Sequence, residues 1–307
     1  MANPFTRLKL RHYRLISSIA EHGQLSMAAD HLAITQPAAS RSLAEIERTL
    51  GMPLFERHPK GMNATPIGEV MVRHANILLA DLDHATDELA SFRDGSSGTV
   101  RVGAVTGAAV GFLVPAIKEL KCNSESADIR VEVAPSVELM TGLLAGELDF
   151  VLCRVPPGVE AGQLKVLRGR VEHLSLLVRK GHPQEVLANV ELGALSDFTW
   201  VVQQHGMPIR EAIEQRHVTV GLIPPQDVIE SSSLLMTIAY LMASDAVSPV
   251  AREVAELLLA TNGGALATLN MKENITVSPY HLIQQKRRPL SPLAQRLLAS
   301  VLERMSN

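Results

Sequence analysis

Gln36, Ser40, Arg41 and Arg48 stand close together in the stretch TQPAASRSLAEIERTLG. Their side chains suit one chemistry. Glutamine makes paired hydrogen bonds to adenine, and arginine to guanine, in the major groove of DNA. Such groups must be shown near the N-terminal end of a helix, because that end enters the groove. The spacing permits this. Ala39, Leu43, Ile46 and Leu50 step by four, three and four, so they share one buried face. Pro37, Arg41, Ala44 and Arg48 then point the opposite way, and Gln36 and Ser40 sit at or beside the exposed tip. Thr35 is the expected N-cap. Pro37 fits the first turn, where a missing N–H costs little, and Gly51 ends the helix.

The elements that must hold this helix precede and follow it. A first helix is expected from Leu8 to His22, with Leu8, Leu15, Ile16, Ile19 and Ala20 on one face and Gly23 as its stop. A second opens at Ser26 as N-cap and covers MAADHL. After the third comes PLFERHPKGMNATP, where Leu54 and Phe55 look like a strand entering a turn. His58-Pro59-Lys60-Gly61 suits a type I turn, which makes a small wing. Arg57 and Lys60 on it would reach phosphates or the minor groove. Through Asn63 the chain holds eight Lys or Arg and five Asp or Glu, a basic head on a chain of formal charge −3. That is a modest footprint for phosphate contacts.

From Thr65-Pro66 a long helix is expected. Met71, Ala75, Leu78, Leu82, Ala85, Leu89 and Phe92 alternate steps of four and three, an unbroken apolar seam between charged positions. Thr65 caps it, and Asp94-Gly95-Ser96-Ser97-Gly98 ends it in a flexible joint. The seam would pack on the chain's own C-terminal part or on a partner helix. A partner is favoured, because a helix between two globular units has little else to bury against. Two-fold pairing would offer two recognition helices to two half-sites of double-stranded DNA.

Beyond Gly98, apolar strands alternate with helices. TVRVGAV, IRVEVAP, DFVLC, LSLLVRKGHP, TWVVQQ, AVSPV and TVSPYHLIQQ read as strands. LVPAIKEL, SVELMTGLLAGEL, PIREAIEQRHV, SLLMTIAYLMAS, AREVAELLLA and SPLAQRLLASVLERM read as helices. The alternation argues for a largely parallel α/β sheet. Ligands in open α/β folds bind at the carboxyl ends of strands. That rule picks out Thr106, Gly107, Ser136 and Arg154, and later Gln203, Gln204, His205, Ser231, Ser232 and Ser233. Thr106 and Ser136 would add hydroxyls to the exposed N–H groups of helix N-termini. Arg154 would pair with an anionic ligand. Equally, Ser136 would merely cap a helix and Arg154 lie on the surface.

In its first part the chain resembles the LysR family of transcriptional regulators. That family carries a segment like AA-x-x-L-x-x-(S/T)-Q-P-A-x-S-x-x-(I/L)-x-x-L-E-x-x-L-G-x-x-L-F-x-R. Ala28, Ala29, Leu32, Thr35, Gln36, Pro37, Ala38, Ser40, Leu43, Glu47, Leu50, Gly51, Leu54, Phe55 and Arg57 stand in that register. Ile46, Gln24 and Ala64 are mild departures. So long a match at fixed spacing is specific, unlike a lone short motif. LLAGELDFVL resembles the family's effector domain, and LMASDAVSPV looks like a subgroup that answers to sugars or aromatic-degradation intermediates.

The resemblance implies an α/β protein with an N-terminal winged helix-turn-helix at 1–65, a dimerisation helix at 66–94 and an effector-binding domain of periplasmic-binding-protein type at 95–307. Subdomain I would take 99–160 and 267–307, and subdomain II 161–266, with the chain crossing between them twice. It also implies a small-molecule effector, a dimer that usually assembles to a tetramer, and room for contact with the transcription machinery.

Other classes find little support. No run of about 18 apolar residues is free of charge, which argues against a membrane span. MANPFTRLKLRHYRL lacks a long apolar region, which argues against export. Cys122 and Cys153 make no disulfide framework, so a reducing cytoplasm fits. They are either a redox pair or inert thiols; Cys153 ends an apolar strand, which favours the inert reading. GAVTGAAVG has the wrong glycine spacing for a dinucleotide loop. None of the 11 histidines forms H-E-x-x-H, so neither metal nor cofactor is expected. No nucleophile–base constellation argues for an enzyme. A periplasmic solute-binding protein would suit the hinged domain but not the DNA-binding head.

Overall fold

Residues 7–59, 61–94, 98–123, 127–261 and 263–306 are described by the computed structural model. They form two compact units. One is Met1–Arg101 with Ser126–Arg130 and Met140–Asp149; the other is Val102–Glu125, Val131–Leu139 and Phe150–Asn307.

The first unit begins with α1 (Leu10–His22), α2 (Leu25–His31) and α3 (Gln36–Leu50), followed by β1 (Phe55–His58), β2 (Gly61–Ala64) and α4 (Pro66–Asp94). Leu15, Ile16 and Ile19 bury against Ala28, Ala29, Ala39, Leu43, Ile46 and Leu54 in one core. Ala20, placed on that face from the sequence, is exposed; three large side chains fill the interface, and a lone methyl loses little in water. Ser26 does not cap α2. It is the helix's second residue, and Gln24 stands at the N-cap without a side-chain bond. Burial of Leu25 draws the chain into the helix one residue early.

The wing is docked rather than free. β1 and β2 pair antiparallel from Phe55↔Ala64 to His58↔Gly61. The Met62 N–H donates to the Gly23 carbonyl at 2.7 Å, which ties β2 to the end of α1. Gly61 has φ +148, and a Cβ there would stand 2.2 Å from that carbonyl oxygen. No other residue type fits. Thr65 Oγ1 donates to the Pro53 carbonyl and accepts the Gly68 N–H at 3.0 Å, which starts α4 against the base of the wing.

The second part holds β3 (Thr99–Ala104), α5 (Thr106–Ala108), a π turn (Ala109–Leu113), α6 (Val114–Asn123), β4 (Asp128–Val133), α7 (Ser136–Ala145), β5 (Phe150–Cys153) and β6 (Leu164–Arg179). After these come β7 (Trp200–Val202), α8 (Pro208–Thr219), β8 (Val228–Glu230), α9 (Leu234–Ala243), β9 (Ser248–Ala251), α10 (Arg252–Thr261), β10 (Leu266–Thr268), β11 (Thr276–Gln285) and α11 (Pro292–Ser306). The main sheet runs β10-β6-β11-β5-β3-β4, with β9 also on β6, and β7 pairs β8 separately.

The expected largely parallel sheet is in fact mixed. β3–β5 and β7–β8 are parallel, but β11 lies antiparallel to both β5 and β6, and β6 antiparallel to β9 and β10. The cause is the pair of long strands. β6 and β11 run past each other from Thr276↔His173 to Gln285↔Leu164. Each then joins strands from a different part of the chain. β6, of 16 residues, and β11, of 10, are the sheet's two long crossing strands. Around the far end of β6, Trp200, Leu192, Leu195, Ile213 and Val247 form one core, and Val201, Leu241, Ala246 and Val254 another.

Candidate nucleic-acid interface and effector cleft

Both ends of α3 are closed as its sequence suggests. Thr35 Oγ1 accepts the Ala38 N–H at 3.4 Å. Gly51 has φ +76 and donates to the Glu47 carbonyl at 2.8 Å. Ala39, Leu43 and Ile46 are buried, so rotation about the axis is fixed. Gln36, Pro37, Arg41, Ala44 and Arg48 are therefore exposed, with Ser40 half-buried beside them. Arg57 on β1 is exposed, Ser26 on α2 half-buried, and Lys60 lies outside the described residues. Among the described residues Arg41, Arg48 and Arg57 take part in no ion pair. Their donors remain available for base edges and phosphates.

Sequence reasoning missed how α3 and the wing are joined. Glu47 Oε1 accepts the N–H groups of Leu54 at 2.8 Å and Phe55 at 3.3 Å. One carboxylate thus holds the first wing strand to the recognition helix.

The seam on α4 divides in two. Met71 is 3% exposed and Ala75 fully buried in the core shared with α1. They are not available to a partner helix, which corrects their assignment to the dimer face. Heptad spacing says only that a face is covered, not by what. Beyond them Leu78 is 45%, Leu82 46% and Leu89 71% exposed, and Ala85 is exposed. The Phe92 side chain lies outside the described residues.

In the second unit, the strand-end residues fall into two sets. Thr106 is exposed at the start of α5. Gly107 is buried, and a Cβ there would stand 2.6 Å from Glu172 Oε1 and 2.8 Å from Ala251 Cβ. Its place is therefore a packing contact, not a ligand-facing one. Ser136 opens α7, and its Oγ accepts the Arg154 N–H at 3.1 Å. The Arg154 side chain is already engaged. Nε donates to the Ser278 carbonyl at 2.9 Å, and Nη2 to Glu172 Oε2 at 2.5 Å. Its charge is met by a carboxylate on β6, so it is neither loose surface nor an uncompensated anion receptor.

The second set is organised by a residue that the sequence did not single out. Arg210, buried in α8, donates from Nη1 to the Gln203 carbonyl at 3.2 Å and to Glu230, from Nε to Glu214 at 2.7 Å, and pairs through Nη2 with His205 at 2.8 Å. It gathers the ends of β7 and β8. Gln204 and Ser232 are exposed. The Ser231 N–H donates to the Val202 carbonyl, its Oγ accepts the Ser233 N–H, and Ser233 caps α9 at Met236. Among the described residues no hydrogen bond joins this set to Thr106, Ser136 or Arg154.

Also unforeseen is a buried polar group beside the crossing strands. The Tyr280 hydroxyl is buried without a hydrogen-bond partner, and burial, with the charges of Glu253 and Glu172, pushes its pKa up. A Cβ at Gly111 would meet Glu253 Cγ at 2.8 Å. Gly107 and Gly111, four residues apart, thus each leave room for one carboxylate.

Comparison with known proteins gives this geometry relatives. A model described as LysR substrate binding domain matches residues 93–306, and one described as bacterial regulatory helix-turn-helix protein, lysR family, matches residues 10–69. The chain is 36% identical over 296 residues, 96% of its length and 86% of the relative's, to the HTH-type transcriptional regulator GbpR of Azospirillum brasilense. Among solved structures it is similar to CbnR, a LysR family transcriptional regulator, with TM-score 0.67 and 21% identity over 98% of this chain and 100% of that one. Full-length CbnR complexed with its target DNA gives TM-score 0.66 and 20% identity over 97% and 100%. At such identities the structural likeness speaks for the fold alone.

Proposed function

The chain belongs to the LysR family of DNA-binding transcriptional regulators, and from that premise we propose how its parts divide the work. It is a regulator and not an enzyme, like the relatives it matches. The winged helix-turn-helix, 1–65, binds DNA, and α3 lies in the major groove with Gln36, Pro37, Ser40 and Arg41 toward base edges. Arg48, Arg57, Lys60, Ser26 and Thr35 serve the phosphates and the groove walls. The observation that carries this reading is the exposed face of α3, set opposite a face buried in the domain's own core.

The helix at 66–94 pairs two chains through Leu78, Leu82, Ala85 and Leu89, and pairs of dimers form a tetramer. Two recognition helices then meet half-sites about 34–36 Å apart, or a multiple of that, along one side of the duplex. The region 95–307 binds a small effector at the strand ends, with Thr106, Ser136, Gln203, Gln204, His205, Ser231 and Ser232 supplying hydrogen bonds. Arg154 and Arg210 hold those ends in place through their own carboxylates. The work takes place in the cytoplasm, where the DNA is; among the described residues no helix is long and apolar enough to cross a membrane.

Footprinting of the full-length chain on duplexes enriched from a random pool tests the reading. Two protected half-sites, with affinity falling steeply as salt rises, are expected. Uniform, unspaced protection would overturn it. A thermal-shift screen of sugars, aromatic acids and diacids tests the effector part. A ligand at 100 times its dissociation constant stabilises by about 2.7 kcal/mol, and Thr106→Val with Ser136→Ala should abolish that shift.

A further inference from the structure

We propose that Glu21, His22 and His31 form a binding site for a divalent transition-metal ion of borderline softness, such as zinc, where α1 meets α2. The ligand atoms of these three side chains all lie within 4.8 Å of one another. His22 is the last residue of α1 and His31 the last of α2. The left-handed Gly23, φ +64, turns the chain between them, and the two helix ends come side by side. Their imidazoles stand edge to face, with centroids 5.0 Å apart and planes at 64°. Glu21 and His31 are exposed, which gives an ion a way in, and His22 is half-buried.

A second observation points the same way. His22 Nε2 is buried and has no hydrogen-bond partner, although buried polar atoms nearly always have one. The ring is thus held by packing, not by an acceptor that would fix its tautomer. A metal ion needs the neutral imidazole with a lone pair to give.

The donor set selects the metal class. Two imidazole nitrogens and one carboxylate oxygen suit Zn²⁺, Fe²⁺, Ni²⁺ or Cu²⁺. Calcium and magnesium prefer sets made of oxygen alone, and copper(I) prefers sulfur. Zinc bonds of about 2.0–2.2 Å to such atoms place tetrahedral ligands roughly 3.3–3.5 Å apart. Small rotations of the exposed Glu21 and His31 side chains close the remaining gap. Three protein ligands leave the fourth position to water.

The place of the site gives it a consequence. Gly23, next to His22, accepts the wing's Met62 N–H at 2.7 Å, and α2 leads through a short turn into α3. An ion tying α1 to α2 therefore braces the frame that carries both the recognition helix and the wing. The ligands were invisible to a search for H-E-x-x-H, because a turn, and not one helix face, brings them together.

Isothermal titration of zinc into the chelator-treated full-length protein tests this. An exposed thiol such as that of Cys122 is a zinc ligand in its own right, so Cys122→Ser is the background. One saturable site per chain is expected, weakened at least tenfold by His31→Ala and also by Glu21→Gln. Zinc should raise the melting temperature of the background protein but not of His31→Ala, and magnesium at the same concentration should raise neither. His31 is exposed, so its loss leaves the fold intact, and melting without metal checks that. Zinc binding that is non-saturable, or equal in His31→Ala, overturns the proposal.

Discussion

Arg154 Nη2 lies 2.5 Å from Glu172 Oε2, with the two side chains 13% and 3% exposed. The cation at the end of β5 is thereby tied to the crossing strand β6, while its Nε reaches Ser278 on the other crossing strand. One guanidinium thus links three strands of the mixed sheet. Removing its carboxylate leaves a buried charge uncompensated. Glu172→Ala should cost about 3–5 kcal/mol of stability, read from denaturant unfolding through the fluorescence of Trp200, the chain's single tryptophan, which is 1% exposed. A loss under about 1 kcal/mol would mean that Arg154 finds another partner or reaches water.

The open half of the α4 seam should carry self-association. Leu78→Asp with Leu82→Asp should dissociate the assembly in sedimentation and leave the DNA-binding unit folded. Met71→Asp should instead unfold that unit, since Met71 is 3% exposed in its core. Native sedimentation of the double variant would show that the exposed leucines are covered by something other than a second chain.

α3 is legible in the sequence because its ends are marked by residues of local effect: Thr35 caps, Pro37 starts and Gly51 stops. The seam's period is legible too, but periodicity does not say what covers a face, and Met71 and Ala75 turn inward. The first half of β6 was missed because LKVLRGRV carries exposed lysine and arginine and a glycine at the place where His281 approaches. A Cβ at Gly169 would be 2.7 Å from that ring. Arg210 was missed because an arginine in an amphipathic helix reads as surface. Of its four partners, Glu214 lies one turn on in α8 itself, but Gln203 and His205 come from the loop after β7 and Glu230 from β8, and only the fold brings these three to it.

Burial, with the charges of Glu172 and Glu256, pushes the Glu253 carboxyl up. The folded chain thus holds this proton more tightly than the unfolded chain does. The stability involved is present below the unfolded pKa and is lost as pH rises through the folded one. Glu253→Gln should therefore melt higher than the wild type at pH 8. The gap should narrow as pH falls toward the ordinary carboxylate range, roughly pH 4–4.5. A gap that widens on acidification would contradict this.

Burial likewise pushes the Cys153 thiol up to about 12, while Cys122 is exposed. Thiolate is the reactive form. A thiol reagent should therefore label Cys122 in the folded protein and reach Cys153 only on unfolding, and peroxide should form no bridge between them. Equal labelling rates would restore the redox-pair reading.

The DNA-reading role of α3 is tested most directly with Arg41→Ala. Binding sites are selected from a random duplex pool with the wild-type chain, and both proteins are then titrated on the selected site and on a scrambled one by fluorescence anisotropy. Loss of one base-reading side chain should cost about 1–3 kcal/mol on the selected site, with binding to scrambled DNA nearly unchanged. Equal affinity of the two proteins for the selected site, with the same sequence preference, would show that this face of α3 does not read DNA.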